Sequence, residues 1–267
     1  NYDERFRGPV NLRQSLAQSL NIPSVKTLYL AGINDTIKTA RNMGITTLNE
    51  PERYGLSLVL GGAEVKLIDI TSAYSVFAND GVRNPWTIIS KVESADGTVL
   101  EEKKLEPKRV IDPQIARLIN SILSDNTARA PVFGYSSPLY IPGYSVAAKT
   151  GTTQENRDAW VLGYSPTLTV GVWSGNNKNE SMTRQGAGIS ASGPMWREFM
   201  VEALSRLPNE QFSAPSPVSS DKPILNGYPE RHSILYYVNT DNPLGPPPLD
   251  PFKNPQFINW EWAITHY

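Results

Sequence analysis

The sequence predicts an α+β fold: helices first, then an antiparallel sheet, then a closing helix. Three observations carry this. The stretch 12–124 holds several capped, helix-length segments. Three short strand-like runs follow at 144–152, 158–164 and 167–173, the last two joined by Ser165-Pro166, tight enough for an antiparallel hairpin. An amphipathic pattern at 193–207 then closes the block. Helices followed by strands favour α+β over a doubly wound sheet.

In chain order, Asn11 caps a short helix over 12–19, and Pro23 suits the first turn of a second helix ending near Gly32. A third, over 35–43, is stopped by Gly44. Within 66–78, Leu67, Ile70, Ala73, Tyr74 and Phe77 share one face, which is therefore buried. The runs 86–92 and 98–102 flank Ala95-Asp96-Gly97 as a hairpin. Asp112-Pro113 opens a helix to about residue 124. In the closing helix, begun by Gly193-Pro194, the residues expected inward are Trp196, Phe199, Met200, Ala203 and Leu204. No internal repeat is visible.

Half of the 22 prolines fall in 208–267. This divides the chain into a main domain, 1–207, a Pro/Ser linker, 208–223, and a proline-rich extension, 224–267, of unassigned role. Within the extension, 233–238 reads as a short strand, 241–251 is too proline-rich for regular structure, and 258–267 carries Trp260 and Trp262 as docking residues.

Composition excludes several chemistries. With 25 basic and 26 acidic residues the net charge is −1, so no nucleic-acid-binding face is expected. No apolar run is long enough to cross a bilayer, and no signal-peptide pattern opens the chain. Asn1 in place of an initiator methionine predicts a fragment whose anchor or signal would lie upstream. The absence of cysteine removes thiol nucleophiles, disulfides and cysteine-bound zinc, and fits an extracytoplasmic location. The two histidines, His232 and His266, both lie in the extension, so a Ser-His-Asp triad has no imidazole in the main domain. A base for acyl transfer must then be lysine, carboxylate or tyrosine, and no metal or cofactor is expected. Leu60-Gly61-Gly62-Ala63 lacks the Gly-Lys-Ser/Thr of a phosphate loop, and Asp3, Glu4, Asp80 and Glu101-Glu102 are too scattered for glycosidase chemistry. Arg157 and Asp158 read equally as a binding pair or a structural one.

Two short segments remain. In Lys149-Thr150-Gly151-Thr152-Thr153, Gly151 lets a substrate backbone lie against a strand edge. Thr150 and Thr152 offer hydroxyls to a carboxylate, Lys149 adds positive charge, and backbone N–H groups can serve an oxyanion hole. By itself the segment reads as well as an ordinary edge strand. Ser19-Leu20-Asn21, at a helix end before Pro23, reads by itself as a cap. A Ser-x-x-Lys occurs at Ser219-Ser220-Asp221-Lys222, but Pro215, Pro217 and Pro223 surround it and argue against the helix that would put both side chains on one face.

Taken in order, these pieces resemble the transpeptidase domain of class A penicillin-binding proteins, from about residue 1 to 202. Arg7-Gly8-Pro9-Val10-Asn11-Leu12-Arg13 followed by Ser19-Leu20-Asn21-Ile22-Pro23 is similar to the family's entry to its second motif. Leu60-Gly61-Gly62-Ala63-Glu64-Val65, Ala73-Tyr74 and Phe77-Ala78-Asn79-Asp80-Gly81 resemble its long helix. The segment 148–153, Asp158-Ala159-Trp160, Gly163-Tyr164, Gly171-Val172-Trp173, Gly175-Asn176 and Pro194-Met195-Trp196 complete the pattern.

The resemblance implies a β-lactamase/transpeptidase-like antiparallel sheet flanked by helices, incomplete on its N-terminal side, with only the last three strands present. It implies D,D-transpeptidation of stem peptides ending in D-Ala-D-Ala through a serine acyl-enzyme, with β-lactams as inhibitors. Ser19 matches a proton-shuttling serine, Asn21 a substrate-amide contact, Lys149 the third-motif cation, and Thr150, Gly151, Thr152 and Thr153 the substrate-binding wall. The family's Ser-x-x-Lys nucleophile lies several dozen residues before its second motif, and only 18 residues precede Ser19 here. The missing part of the domain is expected as a partner, as a separate chain or upstream polypeptide, and this chain by itself is expected to be inactive. Related enzymes carry a glycosyltransferase and a membrane anchor upstream. A non-catalytic muropeptide- or β-lactam-binding module and a serine β-lactamase are the alternatives; the latter needs a deacylating base, which no region stands out as supplying.

Overall fold

A computed structural model describes residues 6–183, 188–217, 219–227 and 231–266. Three helices open it: α1 (Leu12–Ala17), α2 (Asn21–Ala31) and α3 (Ile33–Met43). Asn11 caps α1 in a reciprocal capping box with Gln14, and Gly44, in the left-handed region, ends α3. Helix α4 (Leu67–Ala78) follows, then two ribbons: β1 (Val82–Arg83) pairs with β4 (Lys108–Arg109), and β2 (Lys91–Glu93) with β3 (Val99–Glu102). The second is the expected hairpin, though its first strand is only the end of 86–92. Helix α5 (Pro113–Leu123) is capped by Asp112. Helix α6 (Asn126–Phe133), capped by Asp125, was not anticipated, because Pro131 sits inside it.

The three expected strands form one antiparallel sheet in the order β5 (Ala147–Thr152), β6 (Asp158–Tyr164), β7 (Thr169–Gly175). Strand alternation divides its side chains between two faces. On one face Ala148 and Val161 pack with Trp196, Met200 and Leu204 of α7 (Ile189–Leu204). On the other, Ala147 and Tyr164 pack with Leu123 of α5 and Tyr74 and Phe77 of α4. Two glycines permit this three-layer packing. A Cβ on Gly163 would lie 2.2 Å from Trp196 Cζ2, and one on Gly171 would lie 2.1 Å from Thr71 Oγ1. A second core joins α3 and α4 through Ile37, Met43, Ala73 and Val76.

Three expectations are corrected. The closing helix starts at Ile189, before Gly193-Pro194. Its inward stripe is Trp196, Met200 and Leu204; Phe199 lies about 100° around the axis from Met200 and is 57% exposed. The segment 233–238 is not a strand: Ile234–Tyr237 forms a single helical turn, α8, and its buried Leu235 and Val238 are spaced three apart, a helical period.

The last helix, α9 (Phe257–His266), docks on α2. Trp260 packs on Tyr29 with ring centroids 5.8 Å apart, and Lys26 Nζ sits 4.5 Å from the indole centroid. Glu261 ties α9 to the start of α8, accepting from the Ser233 amide at 2.7 Å and bonding His232 Nδ1 at 2.8 Å. Among the described residues no helix is long and apolar enough to cross a membrane.

Candidate active site

Ser19 owes its position to the end of α1. The Leu20 amide donates to the Ser15 carbonyl at 3.0 Å and the Ser19 amide to that of Leu16 at 3.2 Å, a Schellman closure. The residue at its centre must be left-handed, a place glycine usually takes. Here Ser19 has φ 57°, which places a hydroxyl at the reversal at the expense of backbone strain. Leu20, buried behind it, pins the turn. Asn21 begins α2 and is exposed. Two residues from Ser19, it stays within roughly 7 Å of it by chain length.

Lys149 arrives from the other side. In the sheet β5 pairs only with β6, so its second edge carries no strand among the described residues. Lys149 shares the face of Ala147, toward α1 and α5, and its Nζ donates to Ser19 Oγ at 2.6 Å and to the Thr150 carbonyl at 2.8 Å. Burial, and secondly the positive charge of Arg129, lower the Lys149 pKa to about 8. The amine therefore exchanges its proton near neutrality, beside a hydroxyl.

The strand's other residues divide. Gly151 lies between Lys149 and the β6–β7 aromatic pair Trp160 and Trp173, whose centroids are 6.3 Å apart. A Cβ on Gly151 would meet Trp160 at an ordinary 3.4 Å, so the protein's own packing does not demand glycine there. Thr150 and Thr152 take the opposite face, the one α7 covers, and Thr152 is exposed. The Thr153 hydroxyl is turned inward. It donates to Asp158 Oδ2 at 2.9 Å and accepts from the Asp158 amide at 2.9 Å, closing the β5–β6 turn. Asp158 also accepts from Trp173 Nε1 at 2.7 Å, while Arg157 bonds Glu155 and the Asn179 carbonyl, so Arg157 and Asp158 do not pair with each other.

Beneath Lys149 lies a residue the sequence reading missed. Arg129, on α6 and 2% exposed, donates to the carbonyls of Ala148 at 3.3 Å, Leu139 at 3.4 Å, and Leu123. Burial lowers its pKa to about 10, leaving it charged at neutral pH. Ser219-Ser220-Asp221-Lys222, the sequence's Ser-x-x-Lys, is non-helical, and Lys222 Nζ donates to the Pro243 carbonyl at 3.1 Å.

Comparison with known proteins gives the family and the fold. The penicillin-binding protein transpeptidase domain family matches residues 1–201. Penicillin-binding protein 1A of Aquifex aeolicus is 32% identical over 219 residues, 80% of this chain and 28% of that protein. Penicillin-binding protein 2D of Bacillus subtilis is 34% identical over 219 residues, 79% of this chain and 30% of that protein. The chain thus spans less than a third of these relatives. Among solved structures, PonA1 of Mycobacterium tuberculosis superposes with a TM-score of 0.69 at 30% identity, covering 80% of this chain and 62% of that one. Penicillin-binding protein 1A of Haemophilus influenzae gives 0.70 at 26% identity, covering 80% of this chain and 37% of that one. The chain belongs to the penicillin-binding protein transpeptidase domain family.

Proposed function

We propose that this chain supplies one wall of a serine D,D-transpeptidase site that cross-links peptidoglycan stem peptides and is acylated by β-lactams. The attacking serine and its lysine partner come from a Ser-x-x-Lys segment outside these 267 residues. The observation that carries the reading is the 2.6 Å bond between Lys149 Nζ and Ser19 Oγ beside the unpaired edge of β5.

A stem peptide ending in D-Ala-D-Ala adds to that edge as a further antiparallel strand, its backbone lying over Gly151. Protonated Lys149 attracts its terminal carboxylate from one face of β5, the Thr150 and Thr152 hydroxyls offer donors from the other face along the same open edge, and Asn21 holds the substrate amide. Attack by the external serine forms an acyl-enzyme. Ser19, bonded to Lys149, relays the proton to the departing D-alanine amine. An amine of a neighbouring stem then takes the acyl group. The reaction proposed here would run on the extracytoplasmic face of a bacterial membrane. A Mycobacterium tuberculosis relative has been solved in complex with penicillin V, which supports β-lactams as ligands.

Labelling the intact protein with a fluorescent penicillin tests the reading. Persistent label is expected, and Lys149→Ala should reduce its rate of formation by ~100-fold or more without a loss of thermal stability, since the variant sheds a buried charge. Rapid loss of label would favour a β-lactamase. No label on the intact protein would leave a non-catalytic binding module.

A further inference from the structure

Helix α6 touches both halves of the site. Gln18, the residue before Ser19, donates through Nε2 to the Ala128 carbonyl at 3.2 Å. Arg129, the next residue on α6, donates to the carbonyl of Ala148, the residue before Lys149, at 3.3 Å. Adjacent residues of one short helix thus hold the two chain segments whose side chains meet 2.6 Å apart. The helix is itself fixed to α1: its cap, Asp125, also pairs with Arg13 at 3.1 Å.

Arg129 is a costly means of making such a joint. A buried guanidinium satisfied by main-chain carbonyls keeps most of its desolvation penalty, and a well-packed apolar side chain of similar volume would hold α6 against β5 at lower cost. Packing explains neither the charge nor its place. The ionisable groups on the elements around Lys149 offset that charge only in part, through Asp125 at the cap of α6, which Arg129 shares with Arg13. Arg13 on α1 is paired with Asp125, Lys26 on α2 lies over Trp260, Arg117 on α5 is paired with Asp80, and Asp158 at the start of β6 is taken by Thr153 and Trp173.

We propose that Arg129 is a positioning residue of the acyl-transfer site, fixing β5 under Lys149 and keeping a permanent positive charge behind the Lys149–Ser19 contact. The proposal rests on the transpeptidase reading for its role in rate, but its electrostatic part stands on this chain's geometry. A like charge behind the amine favours release of the amine's proton toward Ser19, and the carbonyl bonds keep the donor in line.

The test uses the intact protein with Arg129→Met and Arg129→Lys. Titration of the Lys149 amine is followed by NMR, alongside penicillin acylation rates across pH and thermal melting. Arg129→Met removes the charge, so the Lys149 titration should move up by about half a pH unit or more, with acylation falling ~10–100-fold. Arg129→Lys keeps the charge but loses the planar fork, so it should acylate more slowly with the titration nearly unmoved. A Lys149 titration unchanged in Arg129→Met, with rate loss no greater than its loss of folded protein, would overturn the proposal and leave Arg129 structural. If Arg129→Met does not fold, Arg129→Lys decides, and a wild-type rate there overturns it. Failure of wild type to label would end the transpeptidase reading, while the NMR titration still judges Arg129 by itself.

Discussion

Lys149 Nζ meets Ser19 Oγ at 2.6 Å although 130 residues separate them in sequence. The contact joins a strand edge to a strained helix reversal, so the two structural requirements of the site sit on one hydrogen bond.

The strain at Ser19 is separable from its chemistry. Its φ of 57° suits glycine, and Ser19→Gly relieves a cost of about 1–2 kcal/mol, partly offset by the extra freedom of glycine in the unfolded chain. We expect the variant to be more stable by about 0.5–1 kcal/mol in thermal unfolding, with penicillin acylation reduced ~100-fold or more. A lower melting temperature would mean that the Lys149 bond outweighs the backbone strain.

Stability and activity should part company in alkali. The Lys149 pKa in the folded chain is about 8, below the ordinary lysine value of 10.5. Below pH 8 both folded and unfolded forms carry the proton, and the fold bears the cost of a buried charge. Between about 8 and 10.5 the unfolded chain binds more protons, so this residue's contribution to stability rises with pH. Acylation by a carboxylate-bearing β-lactam falls over the same window, because the charge that attracts the carboxylate is lost. Comparing wild type with Lys149→Met by denaturant unfolding isolates the stability effect. A stability difference that stays flat from pH 7 to 10 would contradict the shift.

The parts legible in the sequence were those set by local rules. Asn11 and Asp112 are caps whose side chains make the bonds expected of them, and the three strands of the sheet read from their alternation and turn residues. Arg129 was invisible for a general reason: arginine is usually exposed, and nothing in the sequence pattern announces that carbonyls 6, 10 and 19 residues away will converge on it. Helix α6 was hidden by Pro131, which lies inside it and usually breaks a helix. The 233–238 segment is apolar enough for either structure, and its docking beside α9 chose the helix. Trp260 announced a docking residue but not its seat on α2, which depends on Tyr29 and Lys26 more than 200 residues earlier.

Gly163 should tolerate no side chain. A Cβ there would lie 2.2 Å from Trp196 Cζ2, with the indole fully buried between α7 and the sheet. Gly163→Ala must push α7 outward, at a cost of about 1–3 kcal/mol. Reduced stability with exposure of Trp196, read as a red-shifted fluorescence, is the expected result, and a wild-type melt would show that the helix has room to move.

Asp69 ties α4 to the chain following α3 and should set part of the acid limit of the fold. Only 1% exposed, it accepts from the Thr46 hydroxyl at 2.5 Å, the Thr46 amide at 3.2 Å and Trp86 Nε1 at 3.3 Å. Burial would raise its pKa, but these donors outweigh burial and hold it below the ordinary value of 3.8. Its contribution is therefore full above the unfolded value and is lost as pH falls through the folded one. Asp69→Ala leaves these donors without their acceptor and should cost about 2–4 kcal/mol at pH 7. Asp69→Asn keeps the shape without the charge, so wild type should be the more stable near neutrality, with the gap narrowing in urea unfolding as the pH is taken from 5 toward 2. A gap that does not narrow would mean the carboxylate gains nothing from its charge in the folded chain.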